Sequence, residues 1–352
     1  MSERFASLEP YVPGEQPRER KYIKLNTNES PFPPSEGVIK AASEEAGRLE
    51  LYSDPECRDL VEKTAEFFGV GTDEIVMTNG SDEILNFAFM AYGDETHPFA
   101  FPDITYGFYP VFAKVNRVPY TEIPLSDDFS IDARLYEGLG MNIVIANPNA
   151  PTGILLPLSD IERIVASNPD NVVVIDEAYI DFGGESAICL TKKYDNLLVT
   201  RTFSKSYSLA GARLGFGIGS KSLIADLNTI RNSTNPYNIN RMTMAAGEAA
   251  IGDAEYYRKN CDVIIENREY VRGEFEKLGF FVTDSKANFI FASHPDIDGG
   301  KFQMLLRGEG ILVRHFSLPR IENYNRITVG TREEMDALIC AAKKIITGEK
   351  TK

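Results

Sequence analysis

Imidazole is scarce in this chain. Only three histidines occur in 352 residues, His97, His294 and His315, far apart in sequence, so a histidine-based triad or a multi-histidine metal site is excluded on counts. The four cysteines, Cys57, Cys189, Cys261 and Cys340, form no C-x-x-C pair. Neither a zinc site nor a disulfide framework is expected, no metal is expected, and a reducing cytoplasm is the expected compartment. The first residues, MSERFASLEPYVPGEQ, lack an apolar core of signal-peptide length, and no segment approaches the ~20 apolar residues of a membrane helix. No repeat period is visible. Two nucleotide-binding patterns are missing as well: GFGIGS at 215–220 spaces its glycines as G-x-G-x-G, and GSKS at 219–222 has no adjacent Gly-Lys. Positive charge is outweighed, 37 Lys and Arg against 52 Asp and Glu, a net charge of −15. With no basic patch to offset that charge, nucleic acid and membrane surfaces are excluded as partners.

What is present is an ordinary soluble composition, 43% hydrophobic and 25% charged, in a chain long enough for about two domains at roughly 100–200 residues each. Short apolar runs at 75–78 (IVMT), 142–146 (NIVIA), 172–176 (VVVID) and 196–200 (NLLVT) read as buried strands with helical segments between several of them. The expected fold class is α/β, a large domain with a mostly parallel sheet flanked by helices plus a smaller α/β domain. The stretch 245–278 reads as one or two amphipathic helices. Beyond it come strand candidates at 287–293, 311–316 and 325–330, then a closing helix. The proline-rich segment 24–37 reads as an extended arm. The expected division is 1–44 for the arm and the start of the small domain, 45–250 for the large domain, and 251–352 for the connecting helix and the small domain.

Ligands of open α/β sheets bind beyond the carboxyl ends of the strands, and the residues there are polar. After IVMT, Gly80 permits a tight turn, Ser81 or Asp82 can cap a helix, and the helix N-terminus can receive a phosphate. The plain alternative is a helix cap with no ligand. After NIVIA, the segment NPNAPTG fixes a rigid turn bearing Asn147, Asn149 and Thr152. VVVID ends on Asp176, either a solvent-exposed carboxylate or a buried one with a cationic partner. Tyr179 follows three residues later. After NLLVT comes TFSKSYSLAGARLGFGIGS, where Lys205 is either a solvated loop lysine or a nucleophile toward a carbonyl cofactor, with Thr202, Ser204 and Arg213 as phosphate ligands.

The combination favours the chemical reading. Pyridoxal phosphate needs a lysine for its aldehyde, an acid for its pyridine nitrogen, a polar group for its ring hydroxyl and an anion site for its phosphate. Lys205, Asp176, Tyr179 and the group Gly80, Ser81 and Arg213 fill these roles, each near a strand end.

Across nearly its whole length the chain resembles the fold-type I pyridoxal-phosphate aminotransferases, and within them the histidinol-phosphate aminotransferase family. The motifs that carry the resemblance run in order: KLNTNESP, LYSDP, TNGSDE, TYGFY, NPNAPTG, VIDEAYIDF, RTFSKSYSLAGARLGFGIG and YNRITVGTREE. The resemblance implies that Lys205 holds the cofactor, Asp176 pairs with its ring nitrogen, Tyr179 bonds its ring hydroxyl and Tyr106 stacks on it. It implies phosphate contacts from the Gly80–Asp82 turn, Thr202, Ser204 and Arg213, with Tyr52 reaching the neighbouring subunit's cofactor in a homodimer. Asn28, Glu29, Arg314 and Arg326 are the implied substrate contacts. One departure stands out: the family carries asparagine immediately before P-T-G, and this chain has Ala150 there. Either Asn149 reaches the ring by a shifted turn, or Tyr179 makes that bond alone. The implied activity is transamination of histidinol phosphate with 2-oxoglutarate in histidine biosynthesis. A phosphothreonine decarboxylase or an aromatic aminotransferase of the same fold is the alternative enzyme, and an effector-binding regulatory domain the alternative outside catalysis.

Overall fold

A computed structural model describes residues 1, 5–6, 8, 14–17 and 19–348. Its strands are β1 (Ile23–Leu25), β2 (Ile75–Thr78), β3 (Phe99–Pro102), β4 (Tyr120–Ile123), β5 (Asn142–Ala146) and β6 (Val173–Asp176). There follow β7 (Leu197–Thr202), β8 (Gly215–Ile218), β9 (Phe281–Val282), β10 (Phe289–Ser293), β11 (Ile311–His315) and β12 (Tyr324–Thr328). Seven of them form one sheet in the order β2-β8-β7-β6-β5-β3-β4, and five form a second in the order β1-β11-β12-β10-β9. In the larger sheet only β8 runs antiparallel, to both β2 and β7, so the mostly parallel arrangement read from the sequence is present.

The apolar runs form strands because both of their faces are buried. Ile143, Ile145, Val173, Ile175, Leu197 and Val199 enter one core cluster, while Val144, Ala146, Val174 and Leu198 enter the cluster on the opposite face. Side chains alternate across a strand, so a doubly covered sheet requires a continuous apolar run. Each such Val, Leu or Ile withdrawn from water contributes about 1.5–3 kcal/mol before chain entropy is counted.

Register decides where the polar strand ends meet. Ala146 lies opposite Asp176, and Asp176 opposite Thr200. Farther along, Thr202 and Thr78 both lie opposite Gly215. Strand β7 extends two residues beyond the expected NLLVT run, because Arg201 and Thr202 pair with β8. The GFGIG run is thus a strand, and its glycines let a helix press on it: a Cβ at Gly215 would stand 2.6 Å from the backbone of Gly80 and Ser81. That close approach sets the N-terminus of helix Ser81–Tyr92 beside the strand ends.

The stretch expected as one or two helices is two, Arg241–Gly252 and Ala254–Lys277, parted at Asp253. Helix Arg332–Thr347 closes the fold, starting at a capping box of Thr331 and Glu334. The extended arm joins the smaller sheet as β1, paired parallel with β11. Phe275, Ile290, Phe302, Val313 and Leu338 belong to the core cluster of this smaller sheet. The NPNAPTG turn meets it directly: Thr283 Oγ1 donates to the Thr152 carbonyl at 2.6 Å, and the Lys286 N–H to the Gly153 carbonyl at 2.8 Å.

Candidate active site

A cavity of about 240 Å³ opens at the aligned strand ends. Its walls include Ala146 at the end of β5, Asp176 and Tyr179 at and after the end of β6, and Thr202, Ser204 and Lys205 at and after the end of β7. Ser81, Asp82 and Tyr106 line it from one side, Arg213 and Ala210 from another, and Thr27 and Glu29 from the arm. Ten of the residues singled out in the sequence therefore meet around one space, although they span positions 29 to 213.

Lys205 extends into this space, its Nζ donating to the Thr27 carbonyl at 3.4 Å and lying 5.6 Å from the centre of the Tyr179 ring. Arg213 occupies the end near helix Ser81–Tyr92. Its Nη2 donates to Asp82 at 3.2 Å and its Nη1 to Ser204 Oγ at 3.3 Å. Gly80 is the N-cap, at φ +79°, and a Cβ there would meet Arg213 Nη2 at 2.6 Å. Neither Ser81 nor Asp82 caps the helix, contrary to the sequence expectation. The Asp82 carboxylate is engaged elsewhere, by Arg213 and by the Tyr106 hydroxyl at 2.7 Å.

Asp176 is only 4% exposed. Of the two readings the sequence left open, exposure is overturned by this burial. Its partners are hydroxyls, Tyr109 Oη at 2.9 Å and Thr200 Oγ1 at 3.3 Å. Burial pushes its carboxyl up to about 6, with the Tyr109 hydrogen bond pulling down and Asp82 pushing up. Glu29 lies low instead: burial raises it, but hydrogen bonds from Lys24 and Thr27 outweigh burial.

Tyr179 Oη accepts from Asn28 Nδ2 at 3.0 Å, which leaves its own O–H as a donor. Asn28, held at φ +56° by Thr328 and Asn288, acts through that contact and does not line the cavity. Asn149 is turned away. Its amide donates to the Ile104 carbonyl and to Thr152 Oγ1, and its Oδ1 accepts from Thr105, while Ala150 forms the cavity wall. Of the two alternatives for the ring hydroxyl, only Tyr179 presents a side-chain donor in the cavity.

Arg314 and Arg326 are directly opposed across β11 and β12. Both stand 5.7 Å from the Phe316 ring centre, and Arg326 is 5.5 Å from that of Phe289, whose ring packs edge-on against Tyr179. They lie beyond Tyr179 rather than in the cavity wall. Tyr52 is 81% exposed and stacks on Tyr237 at 4.7 Å, also outside the cavity.

Sequence reasoning missed Tyr109 and Thr200. The only available signals were a second tyrosine three residues after Tyr106 and a threonine ending the NLLVT run, and neither specifies a partner. Among the described residues no helix is long and apolar enough to cross a membrane, and no histidine, cysteine and carboxylate cluster could hold a metal.

The donor set fits one anionic, aromatic, carbonyl-bearing group. A helix N-terminus without a side-chain cap, Arg213, Ser204 and Thr202 suit a phosphate. A buried acid held by hydroxyls suits a protonated ring nitrogen, and a lysine in the same cavity wall suits a carbonyl carbon.

Comparison with known proteins points the same way. Residues 20–341 match the family Aminotransferase class I and II. The chain is 50% identical over 348 residues to the histidinol-phosphate aminotransferase of Brachyspira hyodysenteriae, covering 98% of each chain. It is 47% identical over 346 residues to that of Clostridium acetobutylicum, again covering 98% of each. Among solved structures, histidinol-phosphate aminotransferase from Sinorhizobium meliloti in complex with pyridoxal-5'-phosphate superposes with a TM-score of 0.88 at 24% identity, covering 99% of this chain and 98% of that one. L-threonine-O-3-phosphate decarboxylase from Porphyromonas gingivalis does so with 0.81 at 20% identity, covering 92% and 99%. These two likenesses speak for the fold. On the family match and the near full-length identities, this chain belongs to the class I and II aminotransferases, among the histidinol-phosphate aminotransferases.

Proposed function

We propose that the chain transfers an amino group between histidinol phosphate and 2-oxoglutarate, giving imidazole-acetol phosphate and glutamate in histidine biosynthesis, with pyridoxal phosphate as its cofactor. The observation that carries this reading is the single cavity uniting Lys205, the buried Asp176 and the Arg213 cluster, in a chain half identical to named histidinol-phosphate aminotransferases. Residues 45–250 form the cofactor-binding unit, while the described residues of 1–44 supply the arm and the start of the smaller unit and those of 251–352 the connecting helix and its remainder; the parts of this division at 2–4, 7, 9–13, 18 and 349–352 lie outside the described residues. The protein acts as a cytoplasmic homodimer in which the exposed Tyr52 reaches the second subunit's phosphate site.

When bound, pyridoxal phosphate supplies a carbonyl that accepts the amino group and a ring that draws electrons from the substrate's α-carbon. Arg213, Ser204, Thr202 and the N-terminus of helix Ser81–Tyr92 bind its phosphate, which anchors rather than reacts. Asp176 holds the proton on the ring nitrogen, Tyr179 donates to the ring hydroxyl, and Tyr106 covers the ring. The Lys205 amine holds the cofactor between turnovers and moves the proton at the substrate's α-carbon during them. Arg326, assisted by Arg314, grips glutamate's α-carboxylate and, in the other half-reaction, the phosphate monoester. The planar guanidinium fork suits both anions.

A donor screen on purified protein tests the substrate. Histidinol phosphate should convert the bound cofactor to its amine form far faster than unphosphorylated histidinol or an aromatic amino acid. Release of CO₂ from phosphothreonine at a comparable rate would move the chain to the decarboxylase reading. Arg326→Ala should lower kcat/KM in both half-reactions by an amount equivalent to about 2–5 kcal/mol, because an anion loses its partner. An unchanged glutamate half-reaction would remove Arg326 from the substrate site. Mixed dimers of Tyr52→Phe and Lys205→Ala protomers should exceed the average of the parent homodimers in activity, since both lesions then fall on one site and the other site is left whole. Simple averaging would argue against a shared site.

A further inference from the structure

Tyr109 begins helix Tyr109–Asn116, and its side chain is sealed from solvent. Its hydroxyl donates to Asp176 Oδ2 at 2.9 Å from a ring held edge-on to Tyr106, with centres 5.6 Å apart, and tilted against Phe101 at 5.8 Å. The other Asp176 oxygen receives the longer Thr200 contact, 3.3 Å. The contacts with Tyr106 and Phe101 fix where the Tyr109 ring and its oxygen stand, and Asp176 Oδ2 is the acceptor its hydroxyl meets there. A buried carboxylate with one short, rigid donor is held in one rotamer.

The ionisation balance at this spot is set by a few groups. Burial and the Asp82 charge favour neutral Asp176, while the hydrogen bonds from Tyr109, Thr200 and the Ala178 N–H favour its carboxylate. Lys205 and Arg213 line the same cavity, and Tyr106 and Tyr179 are the ionisable neighbours of Tyr109. Tyr109 itself is pushed far above the ordinary tyrosine range by burial, then by the facing Asp176 charge, so its phenol stays protonated and remains a donor. Among the hydrogen bonds to Asp176, that of Tyr109 opposes burial most.

We propose that Tyr109 is a positioning residue of the transamination site: its hydroxyl pins Asp176 as an oriented carboxylate, ready for a cationic ring nitrogen. The inference rests on the reading of Asp176 as the partner of that nitrogen. It assigns the second tyrosine of TYGFY a role separate from that of Tyr106, which faces the cavity directly.

The test is Tyr109→Phe, which keeps the ring and its packing. In ligand-free protein carrying ¹³C-labelled aspartate, the Asp176 carboxyl resonance is identified by its loss in Asp176→Asn, and its titration midpoint is followed. Removing the donor should raise the midpoint by about one pH unit or more, since hydrogen bonds to charged groups favour the charged form by that order. In the cofactor-loaded enzyme a ring cation facing Asp176 lowers its carboxyl by itself, so activity is read there at one alkaline pH, where kcat/KM of Tyr109→Phe should fall several fold. Thr200→Val should move the ligand-free midpoint in the same direction by less. A lower kcat/KM with the midpoint unmoved would mean that Tyr109 only packs, and the proposal falls. A midpoint that moves with kcat/KM unchanged would leave the Tyr109 bond standing and overturn its part in the transamination site, whereas unchanged α-proton exchange in Asp176→Asn would overturn the ring-partner reading. Should Tyr109→Phe not fold, the wild-type protein still decides: a hydroxyl deuterium isotope shift on the Asp176 resonance is required, and its absence overturns the bond.

Discussion

Lys205→Ala should bind pyridoxal phosphate and yet turn over orders of magnitude more slowly than the parent enzyme. Among the described residues Lys205 is the only lysine in the cavity wall, and Lys24, the amine bonded to Glu29 there, is held in that ion pair. The phosphate-binding set of Arg213, Ser204 and Thr202 and the ring-binding set of Asp176 and Tyr179 are untouched, which is why binding survives. The loss comprises the proton transfer at the α-carbon, worth about 10²–10⁴-fold for a well-placed acid–base group, together with the covalent hold on the cofactor. Two measurements check it. Borohydride should fix the cofactor to a peptide containing Lys205 in the parent protein and to no peptide in the variant. Steady-state rates within tenfold of the parent, or a label on another lysine, would sink the assignment.

Asp176→Asn should move activity and ligand-free stability in opposite directions. The charge-assisted bond to the ring nitrogen is worth about 1.5–3 kcal/mol, so removal of the α-proton should slow by about one to two orders of magnitude. In the ligand-free protein the same carboxylate is a liability. Its folded value of about 6 stands above the ordinary 3.8 because burial disfavours the charge. Folding therefore takes up a proton between those limits. The stability that Asp176 contributes is fully present below about 4 and is lost as pH rises through about 6. A neutral asparagine escapes that loss, so Asp176→Asn should gain up to roughly 3 kcal/mol over the parent at pH 8 compared with pH 4. Thermal unfolding of both ligand-free proteins at the two pH values reads it. A gap that does not widen with pH would mean that the carboxylate is solvated in ways the fold does not suggest. Unchanged single-turnover proton exchange would remove it from the ring nitrogen.

How much of this was legible beforehand varies residue by residue. The four buried strands IVMT, NIVIA, VVVID and NLLVT were readable because a doubly covered strand needs a local run of apolar residues, and their cores match the observed strands. Strands FAFP and YTEI went unread because FAFP ends on a proline and YTEI carries two exposed polar residues, Thr121 and Glu122. GFGIG is read in the sequence only against a nucleotide-binding pattern, because its three glycines mask a strand whose reason is the helix pressed against it. Asp176, Tyr179 and Lys205 were found since they stand at or just past the carboxyl ends of β6 and β7, where a parallel sheet places its ligands, and Arg213 by its place eight residues after the lysine. The cationic partner read for Asp176 was the ring nitrogen; the hydroxyls that hold the acid in the ligand-free protein went unread, because no spacing rule supplies their identity.

The amino-acid sequence by itself determined the α/β class, the reactive lysine, the acid at the end of β6 and the family, since each is written in a contiguous segment. Only the tertiary structure decided that Tyr109 and Thr200 converge on Asp176, that Asn149 turns into the loops while Ala150 faces the cavity, and that Gly80 alone caps its helix. The physical reason is range. Apolar periodicity acts over a few residues, whereas a hydrogen bond of about 3 Å between residues 67 apart depends on sheet register and helix seating, which the whole core sets at once.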